Sequence, residues 1–208
     1  LNTSFGKEKI TSNPNTEIEI PSDTPASKTL YIEKENALQS AIRIGRIFPN
    51  KLHKDYFGLQ ILNTVLGGYF GSRLMNNIRE DKGYTYGIGS GILSLKNSGY
   101  FFISTEVGSD VTKDALLEIY KEIEIIRTEE ISKEELDLVK NYLLGQLLKS
   151  CDGPFNMGEM FENVHEYGLG YNFYNDYITI IKEISPKTLL ALGVKYFKKS
   201  DLYDFGLA

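Results

Sequence analysis

The order of patterned segments predicts an α+β fold: an antiparallel sheet with helices packed on one face. Three observations carry this. Two alternating apolar segments open the globular part, between Thr29 and Ile47. Two β-branched and aromatic segments meet across a short polar loop near Lys96. Almost everything after Asp110 then follows the helical period, until a last short strand. Strands and helices that cluster along a chain, rather than alternate one by one, argue for segregated layers.

Each element has its own local reason. Thr29–Glu33 and Leu38–Ile47 alternate and read as strands, and Pro49 stops the second. Tyr56–Leu66 repeats Phe57, Ile61, Val65 and Leu62, Leu66 at a spacing of four, the helical period, with Gly67-Gly68 as its stop. Ser72–Asp81 predicts a short helix with Ser72 as N-cap and Leu74, Met75 and Ile78 inward. Gly83 ends it. Tyr84–Leu95 and Gly99–Val107 predict two strands joined by a hairpin loop over Lys96-Asn97-Ser98.

The second half is helical. Leu116, Ile119, Ile123 and Ile126 form one apolar stripe. Ser132 and Glu135 stand as a capping box before a helix running toward Ser150. A further helix follows Pro154, and another covers Tyr171 to Glu183. Ser185-Pro186 opens the last helix, with Ser as cap and Pro at the first position. Leu202–Leu207 closes the chain as a strand. Residues 1–27 are rich in Ser, Thr, Asn and Pro and read as an entry segment or linker, with a possible edge strand over Thr16–Ile20. Residues 28–208 form a single α+β domain. The polar entry and the absence of an initiator Met lead us to expect a C-terminal domain of a longer protein.

Composition excludes several function classes. The net charge is −5 and no basic block is present, which argues against nucleic acid as a partner. No apolar run approaches the roughly 20 residues needed to span a membrane, and no signal core opens the chain. The compartment stays open between cytoplasm and periplasm. One cysteine, Cys151, excludes an internal disulfide and a multi-cysteine metal site. The two histidines, His53 and His165, stand far apart. Glu162 and His165 share a helix face, but two ligands do not close a site. Gly67–Arg73 lacks the Lys-Ser/Thr of a phosphate loop and follows a helix, so it reads as a helix end. The acidic run from Glu118 to Glu135 reads as solvated helix faces. The 14 tyrosines suit either a peptide groove or plain packing.

The chemistry concentrates between Leu66 and Gly87. Arg79 precedes Tyr86 by seven residues, across a helix end and a glycine turn. A guanidinium is a rigid fork of donors and a phenol adds one more. Donors converging on a carbonyl oxygen hold a peptide and stabilise developing negative charge. The plainer reading is a surface Arg79 paired with Glu80 or Asp81 and a tyrosine packed in the core.

An ordered string of residues favours the first reading. Gln39, Leu62-Asn-Thr-Val-Leu-Gly-Gly68, Ser72-Arg73-Leu74, Ile78-Arg79-Glu80, Gly83, Tyr86-Gly87 and Ile131-Ser-Lys-Glu-Glu-Leu136 resemble the second half of insulinase (pitrilysin) zinc peptidases. Mitochondrial processing peptidase-type proteins share this half, and the likeness covers about residues 30–208. The family's His-x-x-Glu-His motif is missing here. The resemblance implies a non-catalytic substrate-binding domain of a zinc metalloendopeptidase. It implies an α+β half of a chamber, with Arg79 and Tyr86 assisting catalysis on a peptide. It implies no cofactor in this chain, and zinc in a companion half in the same protein or in a partner subunit. A dimer is a further possibility. Two alternatives stay open: a zinc-less structural or assembly subunit of the same fold, and an unrelated peptide-binding α+β domain.

Overall fold

The computed structural model describes residues 27–207 together with Thr3 and Gly6. The edge strand expected over Thr16–Ile20 lies outside the described residues.

Five strands form one sheet: β1 (Thr29–Ile32), β2 (Gln39–Ile47), β3 (Ile88–Ser94), β4 (Gly99–Gly108) and β5 (Tyr203–Leu207). Their spatial order is β1-β5-β2-β4-β3. Every ladder is antiparallel except β1 against β5, which is parallel. The hairpin closes as expected, with Leu95 and Ser98 exchanging backbone hydrogen bonds.

Alternation along β2 and β4 splits the sheet into two faces. Ile42, Ile44, Phe101, Ile103 and Val107 point to one side and are buried. Arg43, Ile47, Tyr100, Phe102 and Glu106 point to the other and meet solvent. Phe205 and Leu207 of β5 pair beside Arg43 and Ala41 and are also exposed. The sheet therefore has one covered face and one open, partly apolar face.

The cover consists of helices. The first, α1 (Tyr56–Asn63), runs directly into a π-helical segment, Thr64–Gly68. A second π-helical segment spans Met75–Asp81. Then follow α2 (Thr112–Thr128), α3 (Lys133–Ser150), α4 (Gly153–His165), α5 (Asn172–Glu183) and α6 (Pro186–Tyr196). The predicted stripe on α2 is the buried one, with Ile119, Ile123 and Ile126 at most 1% exposed. Ser185 caps α6 by accepting from the Thr188 N–H at 3.2 Å. Ser132 caps α3 in the same way, but Glu135 does not complete the box, because its carboxylate is engaged elsewhere.

Three aromatic rings lock the C-terminal half to the sheet. Phe48 lies 5.3 Å from Phe101 and 5.4 Å from Phe197, and Phe101 lies 5.0 Å from Phe197. All three are buried, and tilted and edge-on geometries favour such contacts. The chain also closes through polar contacts. Arg46 donates to the Tyr196 carbonyl at 2.7 Å and to Asp201 at 3.0 Å, and Tyr120 of α2 donates to Asp204 of β5. Gly193 lets α6 cross α2 closely, since a Cβ there would sit 2.2 Å from the Ile126 carbonyl oxygen.

Asp55, just before α1, accepts from the Tyr196 hydroxyl and the Lys195 ammonium, each at 2.7 Å. Burial pushes the carboxyl up, but the donors from Lys195 and Tyr196 outweigh it and hold Asp55 below the ordinary range. A depressed folded-state value stabilises the fold above the unfolded pKa of about 3.9, and the gain fades as pH falls through the folded value. Asp55→Asn is expected to cost about 1 kcal/mol at pH 7, the group being near solvent. Urea unfolding should show that difference shrinking as pH falls below the unfolded pKa of about 3.9.

Candidate functional site

The stretch singled out by sequence forms a helix–turn–helix–turn–strand unit on the edge of the sheet. Its first helix is pressed onto β3. A Cβ on Gly67 would meet the Ser90 Oγ at 2.5 Å and the Ser90 backbone nitrogen at 2.8 Å. Asn63 continues the contact, accepting from the Ser90 hydroxyl at 2.8 Å. Gly67 is thus needed for close packing rather than for a left-handed stop. The helix continues through Gly68 in π form and breaks at extended Tyr69. Short π-helical stretches recur at functional sites, and two of them frame this turn.

Helical geometry resumes at Arg73, one residue before the expected core positions. Leu74 and Ile78 are fully buried and Met75 nearly so. Ser72 does not cap this helix through its side chain; its hydroxyl is buried without a hydrogen bond. Polar anchors hold the helix from two sides. Arg73 forms a two-pronged pair with Glu135 of α3, at 2.8 and 2.7 Å. That contact holds the guanidinium charged and takes Glu135 away from the capping box. Asn77 bridges Glu118 and Glu122 of α2, at 3.0 and 2.7 Å. Its amide holds the Glu118 carboxyl below the ordinary range.

Those anchors leave Arg79 on the outer side. Its side chain is about one-third exposed, pairs with Glu80, and lies 4.8 Å over the Phe70 ring. The pairing with Glu80 is the one the plainer reading expected. The helix ends at Gly83, whose φ of +66° is left-handed. The Gly83 N–H bonds the Arg79 carbonyl at 3.1 Å and the Tyr84 N–H bonds the Ile78 carbonyl at 3.0 Å.

The strand predicted from Tyr84 begins only at Ile88. The Thr85 hydroxyl accepts from the Gly87 N–H and lies 2.6 Å from the Glu106 carbonyl oxygen, and residues 85–87 bend at Tyr86. Tyr86 is not packed in the core: it is 95% exposed. It borders a shallow hollow of about 260 Å³ on the open face, with Gln39, Arg43, Ser104 and Glu106. Gln39, part of the family-like string, lines the same hollow. Arg79 does not line it. The two donors stand on successive pieces of the chain, a helix end and the bend after it, each reaching solvent. Phe70, Arg43 and Glu106 escaped the sequence reading. The alternation of β2 and β4 marked the last two as outward-facing, but nothing local marked Phe70.

The remaining candidates fall elsewhere. The Nδ1 of His53 accepts from the Asp55 N–H at 3.1 Å, and His165 stacks on Phe161 with centroids 4.8 Å apart. Cys151 is exposed, its Sγ 3.7 Å from the Met160 sulfur. Among the described residues, no group of three or more His, Cys, Asp or Glu could hold a metal ion, and no helix is long and apolar enough to cross a membrane.

Comparison with known proteins bears on the family and the fold. The family model described as the peptidase M16 inactive domain matches residues 1–143. A protein of Bacillus subtilis, described as the uncharacterized zinc protease YmxG, is 31% identical over 100 residues, 48% of this chain and 24% of that protein. A Helicobacter pylori protein described as a non-peptidase homolog is 28% identical over 171 residues, 81% of this chain and 38% of that one. A solved structure of a peptidase M16 inactive domain from Pseudomonas fluorescens superposes with a TM-score of 0.77 at 22% identity, covering 86% of this chain and 43% of that one. The chain spans less than half the length of each of these three relatives.

The two glycines of the unit should fail differently on substitution. Gly83→Ala has open space around the new methyl group, so it is expected to cost about 1–2 kcal/mol of backbone strain alone. Gly67→Ala must push the helix off β3 and is expected to cost about 1–3 kcal/mol, with faster amide exchange in β3. Chemical unfolding together with hydrogen exchange reads both.

Proposed function

The chain belongs to the peptidase M16 inactive-domain family, and from that premise we propose that it is the substrate-binding half of an insulinase-type zinc metalloendopeptidase. The observation that carries this is the presentation of Arg79 and Tyr86. One anchored helix end and the turn after it bring a guanidinium and a phenol to solvent seven residues apart. Neither residue serves the core, and Tyr86 borders a polar hollow on the open face of the sheet.

Arg79 and Tyr86 donate to the backbone carbonyls of a bound peptide. Their hydrogen bonds strengthen as negative charge develops on the scissile carbonyl oxygen. Phe70 and Glu80 hold the guanidinium between an aromatic face and a carboxylate, which limits its reorganisation when a peptide arrives. A zinc ion would be held by the companion half and would supply the activated water there. The companion half belongs to the same protein or to a partner subunit. The open face supports such a partner: Ile47, Tyr100, Phe102, Phe205 and Leu207 are exposed there, and contiguous apolar surface of this kind marks contact sites.

A second reading keeps the fold and drops the chemistry. The Helicobacter pylori relative bears the name of a non-peptidase, which favours a zinc-less structural or assembly subunit. Peptidase assays separate the two. The isolated chain is expected to cleave nothing and to bind no stoichiometric zinc. The protein with its zinc half is expected to cleave an unstructured peptide and to stop with a chelator. In that assembly Arg79→Ala or Tyr86→Phe is expected to lower turnover by on the order of 10²–10³ while leaving the melting temperature nearly unchanged. Unchanged turnover in both variants removes the pair from the mechanism and leaves the assembly reading.

A further inference from the structure

We propose that Thr85 and Thr105 are positioning residues for Tyr86, their paired hydroxyls fixing the direction in which the phenol is presented. The inference rests on the reading that Tyr86 touches the peptide.

Tyr86 is the central residue of a side-chain-closed turn. The Gly87 N–H donates to the Thr85 Oγ1 at 3.1 Å, spanning Tyr86 from one neighbour to the other. The Thr85 oxygen also lies 2.6 Å from the Glu106 carbonyl oxygen and 2.9 Å from the Gly87 carbonyl oxygen. The Thr105 hydroxyl lies 3.0 Å from the Thr85 oxygen and 3.0 Å from the Gly87 carbonyl oxygen. Each hydroxyl has a single proton. One consistent assignment uses both: Thr85 donates to the Glu106 carbonyl and accepts from Gly87, while Thr105 donates to the Gly87 carbonyl. The turn is thereby tied to β4 at two points.

Tyr84 before the turn packs against the core and Ile88 after it pairs with Thr105, but between these two ends the contacts named are those of the two hydroxyls. None of these bonds involves the Tyr86 side chain, and Gly87 has open space on its Cβ side. A residue 95% exposed draws its order from its backbone alone. Thr105 itself is only 3% exposed, on the helix-facing side of β4 with Ile103 and Val107. Valine fills that volume without requiring a partner for a buried hydroxyl. The hydroxyl at 105 is accounted for by the turn it grips. Donors in catalysis must be held to within a fraction of an ångström, and a 1 Å misplacement costs on the order of 10² in rate. The clip supplies that restraint to a phenol with no support of its own.

The test uses the protein together with its zinc half. Thr85→Val keeps the β-branch and removes the hydroxyl; Thr85→Ser restores it. Hydrogen exchange at the Gly87 amide is expected to quicken at least about tenfold in Thr85→Val and to return in Thr85→Ser. Turnover is expected to fall about 10- to 100-fold in Thr85→Val, with no further fall when Tyr86→Phe is already present. Thr105→Val is expected to behave alike, with a smaller change in exchange. Unchanged exchange in Thr85→Val overturns the clip. So does an equal loss of turnover in the wild-type and Tyr86→Phe backgrounds, since the residue would then act by general destabilisation. If exchange quickens while Tyr86→Phe is silent, the failure lies with the role of Tyr86, and the positioning inference falls with it.

Discussion

The contact of the first helix with β3 governs the rest of the unit. Gly67 brings the helix backbone against Ser90 at a distance no side chain would permit. Asn63 reinforces it by hydrogen bonding to the Ser90 side chain and backbone. The second helix can then fold back across the edge of the sheet with Leu74 and Ile78 in the core. The end of that helix delivers Arg79, and the turn that returns the chain to β3 delivers Tyr86. Moving the first helix outward would shift both donors together.

The unit divides its polar residues by task. Arg73 and Asn77 are spent on structure, reaching Glu135, Glu118 and Glu122 on α2 and α3. Arg79, one turn and a half further along from Arg73, is left with Glu80 and an aromatic face. The π-helical winding of Met75–Asp81 shifts the angular relation between these positions from that of an α-helix. A helix carrying two arginines thus uses one as an anchor and offers the other to solvent. Beyond it the polypeptide ends its helix on a left-handed glycine and clips the next turn with hydroxyls.

Much of the fold was legible. The period of α2, the serine-capped starts of α3 and α6, the hairpin loop and the closing strand all follow from local rules, and tertiary packing agrees with them. The misreadings have physical causes. Tyr84–Gly87 is aromatic and β-branched enough to read as strand, yet Thr85 satisfies the backbone locally and delays pairing until Ile88. Glu135 stands where a capping box wants it, but the bidentate pair with Arg73 is the stronger bond. Gly67-Gly68 does end its helix, which breaks at extended Tyr69, but Gly67 has a second task that no local rule shows, a close approach to Ser90, 23 residues away in sequence. At the strand start a side chain bonding to its own backbone outcompeted the local signal, and at the capping box a partner distant in sequence did so.

The amino-acid sequence by itself determined the α+β class, the order of the elements and the lack of a His-x-x-Glu-His motif in this chain, while the family resemblance singled out Arg79 and Tyr86 as the pair to locate. These depend on hydrophobic periodicity, capping chemistry and residue identity, which are local properties. Only the tertiary structure decided that Arg79 stacks on Phe70, that Arg73 serves as an anchor, and that Tyr86 stands free beside Gln39, Arg43 and Glu106. It also decided which face of the sheet is left open. Those outcomes depend on strand order and on the register between β2 and β4, where Arg43 pairs with Ser104 and Ala41 with Glu106. Register is a non-local quantity, set when the whole sheet closes over its core, and no single segment carries it.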